Sequence, residues 1–156
     1  MKSIIFCLLI VSLSAYSTDK AIKYARKYCK NYNPDYKKYN GADCANFVSQ
    51  CLIAGGQSLK GCNGLDAKGA IPYVPNLQSC LTKKGWKSQK GVPKQFKGGY
   101  PFFIPNQHAM IATGVSGKTV TFCGHTNDRC DSTVNNQNYV YYYLYKIKKI
   151  IKFYYI

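Results

Sequence analysis

Apolar positions change their spacing about two thirds of the way along this chain. Ala21, Tyr24, Ala25 and Tyr28 recur at three- and four-residue intervals, with Lys20, Lys23, Arg26, Lys27 and Lys30 turned the other way. That is the stripe of an amphipathic helix, which Thr18 or Asp19 is placed to cap. A second helical run holds Phe47, Val48, Cys51 and Leu52, begins behind Asp43 as N-cap and stops at Gly55-Gly56. Between the two helices, Asn31 to Asn40 is a turn-rich connector whose three tyrosines either pack between the helices or line a site. From Gln57 to Gly99 glycines and prolines break the pattern, leaving loops around one short helix near Pro75 to Lys84 that Gly85 would end. Trp86 then reads as a core or cleft-wall aromatic.

Beyond Gly99 the spacing becomes that of strands. Tyr100 to Ile104, His108 to Gly114, Thr119 to Cys123 and Tyr139 to Ile147 are β-branched or aromatic runs, and Ser116-Gly117-Lys118 makes a tight connection. In HAMIATG, alternation puts His108, Met110 and Ala112 on one face and Ala109, Ile111 and Thr113 on the other. The closing KKIIKFYYI fits either an edge strand or a basic, aromatic surface tail. The expected fold is α+β: N-terminal helices packed on a small antiparallel sheet. With 156 residues and 46% apolar composition, the chain suits a single domain over residues 18–156, with no repeat, heptad or linker.

The first residues change the expected address. Lys2, the apolar stretch Ile4 to Leu13 and the small-x-small Ala15-Tyr16-Ser17 follow the order of a signal peptide, residues 1–17, too short in its apolar part to span a bilayer. The mature protein is expected to be secreted or to enter a vesicular or lysosome-like lumen. Cysteine usage suits an oxidising compartment. Cys7 leaves with the leader; if Cys44 stays free, six cysteines remain for three disulfides, and the local pair favoured is Cys123 with Cys130 across CGHTNDRC. Cys51 lies on the buried helix face and can equally be a core thiol.

Charge is lopsided: 22 Lys and Arg stand against 6 Asp and Glu, and losing Lys2 lowers the net charge from +16 to +15. The lysines are dispersed, without an arginine-rich block or a nucleic-acid motif, so no specific nucleic acid is expected. A diffuse positive field favours anionic surfaces such as bacterial envelopes; a merely solvated lysine-rich surface fits as well.

Cys44 falls in the first turn of the second helix, where free backbone N–H groups and the helix dipole favour a thiolate and an oxyanion, although Asp43 works against the thiolate. On its own such a cysteine reads equally well as a disulfide partner or a small core residue. The histidines alter the balance. A cysteine hydrolase needs an imidazole within reach of the thiol and a group to orient it. The chain has two histidines, His108 at a strand start and His125 in the loop after the next strand. Pairing of those strands brings both to one sheet end, with His108 as base and His125, or else Asn127 or Asp128, as the orienting group. Zinc on one Cys and two His would want a further ligand and short ligand spacings that are not present, so no metal and no cofactor is expected.

The succession G-x-D-C-x-N-F-V-S-Q-C-L-x-A-G-G, H-A-M-I-A-T-G and G-H-T-N-D-R resembles the putative amidase domain family, related to the NlpC-type and CHAP amidases and peptidases, over about Asp19 to Ile147. The resemblance implies a circularly permuted papain-like fold with nucleophile Cys44, base His108 and a third polar position at His125. It also implies amide substrates such as bacterial cell-wall peptidoglycan. The leading expectation is therefore a secreted cysteine amidase or endopeptidase. The alternative, of another class, is a cationic, disulfide-rich binding or membrane-active protein without catalysis.

Overall fold

A computed structural model describes residues 15–145; most of the signal segment and the KKIIKFYYI tail lie outside the described residues. Helix α1 spans Thr18–Tyr28, α2 Cys44–Ala54 and α3 Val74–Lys83. The strands are β1 (Lys87–Lys90), β2 (Pro101–Ile104), β3 (His108–Ser116), β4 (Thr119–Gly124), β5 (Arg129–Val134) and β6 (Val140–Tyr143). They form one antiparallel sheet in the order β1-β6-β2-β3-β4-β5, so the described residues have α+β architecture.

The helices expected from spacing are present, with one shift. The N-cap of α1 is Ser17, ahead of Thr18 and Asp19; its hydroxyl accepts from the Lys20 amide at 3.3 Å. Its own amide donates to the Gly55 carbonyl at 2.8 Å, which ties the start of α1 to the end of α2. Two strands were not legible as strands. β1 reads Lys-Ser-Gln-Lys and is exposed throughout, held at the sheet edge by its ladder with β6 and not by buried side chains. β5, Arg-Cys-Asp-Ser-Thr-Val, alternates half-buried and exposed positions at the opposite edge.

Helix α2 is the centre of the core. Every residue from Cys44 to Leu52 is buried, because α1, β3 and the segment before α3 cover it on different sides. Two of its polar side chains are drawn into hydrogen bonds: Ser49 Oγ donates to the Ile71 carbonyl and accepts from the Ile71 amide, both at 3.1 Å, and Gln50 Oε1 accepts from the Tyr24 hydroxyl at 2.8 Å. Both faces of β3 are buried from Ala109 to Thr113, so its alternation separates two packed faces and not core from solvent. Trp86 is a core residue, 2% exposed, its indole N–H donating to Gln57 Oε1 at 2.9 Å. No described helix is long and apolar enough to cross a membrane.

Tyr16 completes this core from the N-terminal side. Its ring meets Trp86 edge-on with centroids 5.3 Å apart, and its hydroxyl donates to the Gly99 carbonyl at 2.5 Å. Gly99 itself has φ +83°, and a Cβ there would lie 2.7 Å from the Thr18 Cα, a backbone atom that cannot step aside. We expect Gly99→Ala to cost about 2 kcal/mol or more, measured as a lowered denaturant midpoint; an unchanged midpoint would show that the Gly99–Thr18 approach tolerates a side chain.

The disulfides depart from expectation. Cys130 pairs with Cys29, not with Cys123, and Cys62 pairs with Cys80. Among the described residues Cys44, Cys51 and Cys123 are free and buried, so two bridges form where three were expected. The reason is the unanticipated β5: as a strand it carries Cys130 beside the end of α1, where Cys29 is the C-cap.

Candidate active site

The connector between α1 and α2 ends in a turn at Gly41 (φ +77°), after which Asp43 is the N-cap of α2 by position. Its carboxylate does not cap the helix. Oδ1 accepts instead from the Tyr39 amide at 2.8 Å and from Asn46 Nδ2 at 2.9 Å, and Oδ2 bonds His125 Nδ1 at 2.5 Å. The carboxylate is thereby drawn aside, and among the described residues no side-chain hydrogen bond caps the start of α2 at Cys44.

Cys44 opens α2 at 5% exposure and lines a cleft of about 220 Å³. His108 lines the same cleft from the first position of β3, as do Gly41, Tyr73, Gln107 and Thr126. The placement of His108 follows from the β2–β3 hairpin, whose turn includes Asn106 at φ +58° and whose register sets Ile104 against His108. Burial pushes the His108 imidazole below its ordinary value, since a charged ring is poorly solvated there. Among the described residues no hydrogen-bond partner reaches either ring nitrogen of His108, which leaves the ring able to act as a base toward the cleft.

The other three candidates are placed differently. His125 is 1% exposed and stacks on Phe47 with centroids 3.9 Å apart, while Tyr32 lies against it at 4.1 Å. Both its nitrogens are engaged, Nδ1 by Asp43 and Nε2 by the Tyr28 carbonyl at 2.7 Å. With both ring nitrogens taken up by these partners, His125 has none to offer His108. Asp128 accepts from the Tyr32 hydroxyl at 3.1 Å, and Asn127 is exposed on the same turn. The structure thus brings Cys44 and His108 into one cleft and holds His125 behind the helix start, where it clamps Asp43.

Sequence reasoning missed that clamp and two walls of the cleft. Asp43 was visible as a cap, but its pairing with a residue 82 positions away carries no local signal. Tyr73, 61% exposed at the rim, and Thr126, at φ +86°, lie in segments that read as plain loops. Among the described residues the cleft lining carries no Lys or Arg, in contrast to the strongly basic chain around it.

Comparison with known proteins bears on the helical half. The family described as a putative amidase domain matches residues 15–96, just over half of the chain and the part that contains Cys44. Two uncharacterized Bacillus subtilis (strain 168) proteins are similar over short stretches: YjcM, 52% identical over 44 residues, and YhbB, 46% identical over 41. Those stretches cover 28% and 26% of this chain but 11% and 13% of the relatives, so the chain matches only a small part of either one's length. No solved structure matches significantly. Because the family match spans more than half of its length, the chain belongs to the putative amidase domain family, whose description points to amide hydrolysis.

Proposed function

We propose that the protein is a secreted cysteine amidase or endopeptidase of papain-like type, kin to NlpC-type and CHAP enzymes, acting on amide bonds of bacterial peptidoglycan. One observation carries the reading: Cys44 sits at an uncapped helix N-terminus and shares its cleft with His108. In this mechanism His108 takes the proton of Cys44 and the sulfur attacks the scissile carbonyl. The N–H groups opening α2 receive the developing oxyanion, a role left open to them because Asp43 bonds elsewhere. His108 then returns the proton to the leaving amine, and water, activated by the same imidazole, hydrolyses the thioester. His125 acts one step back, as a positioning residue that holds Asp43 and with it the helix start.

The substrate reading draws on charge. A dispersed positive surface concentrates the enzyme on anionic walls, whereas the cleft, with no Lys or Arg among its described lining residues, suits an uncharged amide linkage. Purified peptidoglycan incubated with the protein should gain free amino groups without gaining reducing sugar ends. New reducing ends alone would assign the activity to a glycosidic bond and sink the amidase reading. Wall binding that persists without cleavage and disappears with added salt would favour the non-catalytic alternative.

The pH profile follows from His108. Burial lowers its imidazole, so the neutral, base-competent form persists to lower pH than in an exposed histidine. The acid limb of kcat/KM should accordingly have its midpoint below about 6.5, and His108→Ala should remove that limb along with nearly all activity. A midpoint well above that value would mean that the imidazolium is stabilised in the resting enzyme.

Processing is part of the same proposal. The contacts of Tyr16 with Trp86 and Gly99 support a signal cut ahead of Tyr16 in place of one after Ser17, because removal of Tyr16 and Ser17 would strip the core of a ring and α1 of its cap. N-terminal sequencing of the secreted protein should begin at or before Tyr16; a first residue of Thr18 would contradict this.

A further inference from the structure

Three sulfurs meet where α1 ends against the β4–β5 hairpin. Cys29, Cys123 and Cys130 have their Sγ atoms all within 4.8 Å of one another. Cys29 and Cys130 are joined as a disulfide, and Cys123 beside them is a free thiol. The set is not a metal site in this state, because disulfide sulfurs are not thiolate ligands. A free thiol against a disulfide is, however, the arrangement from which thiol–disulfide exchange proceeds.

We propose that Cys29, Cys123 and Cys130 form an internal thiol–disulfide exchange site, in which the Cys123 thiolate attacks Cys130 Sγ and transfers the bridge from α1 to the β4–β5 hairpin. The step balances without an added oxidant or reductant. A Cys123–Cys130 bond forms, the Cys29–Cys130 bond breaks, and Cys29 leaves as a thiolate that takes up the proton Cys123 gave away. The number of disulfides and of free thiols is unchanged. Cys130 is the favoured target because it shares a hairpin with Cys123: Gly124 pairs with Arg129 and Phe122 with Ser132, so Cys123 faces the two-residue bulge Cys130–Asp131 between those pairs. The exchanged bridge therefore needs no movement of α1 to form.

Local groups govern how readily Cys123 ionises. Burial raises its thiol, while a hydrogen bond from the Asp131 backbone favours the thiolate; the Asp131 carboxylate works against it and Arg26 for it. Cys51 is a second free thiol that feels Cys123, and its own ionisation is suppressed first by complete burial and then by Cys123. Cys123, next to the disulfide and assisted by the Asp131 amide, is accordingly the attacking thiol of the two.

The exchange has a structural consequence. Cys29 directly follows Tyr28, whose carbonyl accepts from His125 Nε2, and His125 holds Asp43 at the start of α2. In the resting bridge Cys29 fixes that carbonyl against the hairpin that carries His125. After exchange, α1 is held to β5 by the exposed Arg26–Asp131 pair at 3.0 Å, a far weaker tether than a covalent bond. The position of the disulfide is thereby communicated to the clamp on Asp43.

The test maps linkages in the full chain held in non-denaturing, mildly alkaline buffer without added thiol or oxidant, then quenched in acid, alkylated and digested unreduced. The expected result is a Cys123–Cys130 peptide growing in alongside Cys29–Cys130, with alkylation moving from Cys123 to Cys29 at a constant total thiol count. Cys123→Ser should retain Cys29–Cys130 alone, and Cys29→Ser should form Cys123–Cys130 and shift the His125 imidazole NMR signals. Persistence of Cys29–Cys130 as the sole bridge of the three, or appearance of Cys123–Cys130 only in denaturant, would overturn the proposal. So would unshifted His125 signals in a Cys29→Ser protein that has formed the hairpin bridge. None of these readouts depends on amide hydrolysis, so the exchange site stands or falls separately from the proposed activity.

Discussion

Cys44→Ala should abolish release of amino groups from peptidoglycan, by roughly 10³-fold or more, while leaving the fold intact. The size of the effect follows from covalent catalysis: without the sulfur there is no thioester path, and the remaining groups can at most position a water. The retention of fold follows from the site. Cys44 is small, 5% exposed and unbonded to another cysteine, so alanine removes one sulfur at the edge of the core and no cross-link. Circular dichroism and denaturant midpoint should stay close to wild type. Equal activity in the variant would eliminate Cys44 as nucleophile, and with it the proposed mechanism. His108→Ala should produce a comparable loss, because the same thiol then has no base in its cleft.

The opposite pattern is expected at His125 and Asp43, where the first effect is on stability. The two side chains are 1% and 2% exposed and lie 2.5 Å apart, so removal of either leaves the other buried without its partner. Breaking a buried pair in this way costs roughly 3–5 kcal/mol. His125→Ala in addition empties the space between Phe47 and Tyr32 and frees the Tyr28 carbonyl. Asp43→Asn keeps the shape and should cost less, while still loosening the start of α2 through Tyr39 and Asn46. A double-mutant cycle on denaturation midpoints should show strong coupling, the second substitution costing far less than the first. Additive effects would deny the clamp. A His125→Ala protein of unchanged stability that had lost all activity would return His125 to a direct catalytic role.

How far the sequence led can be seen at these residues. Cys44, its helix and the strand bearing His108 were legible because each depends on local signals: a cap residue, a 3.6-residue stripe and a β-branched run. The Asp43–His125 pair was half legible. Both residues stood out, but their partnership crosses 82 positions and depends on how the β4–β5 hairpin folds back over α2. β5 escaped notice because an edge strand of Arg-Cys-Asp-Ser-Thr-Val buries only one side, and its polar residues read as loop. From that one omission came the expected Cys123–Cys130 bridge, since without β5 the end of α1 had no reason to lie beside Cys130. β1 was hidden for a related reason: its four exposed residues owe their conformation to the backbone of β6, which no pattern within Lys-Ser-Gln-Lys records.

The most direct test of Cys44 as the nucleophile is to trap the covalent intermediate. The protein is mixed with an amide substrate or an electrophilic amide mimic, quenched in acid, and the modified peptide is located by mass. The acyl or alkyl group is predicted on Cys44, absent in Cys44→Ala and slowed in His108→Ala. Labelling of Cys51 or Cys123 with Cys44 untouched, or turnover of substrate with no label on Cys44, would contradict the assignment.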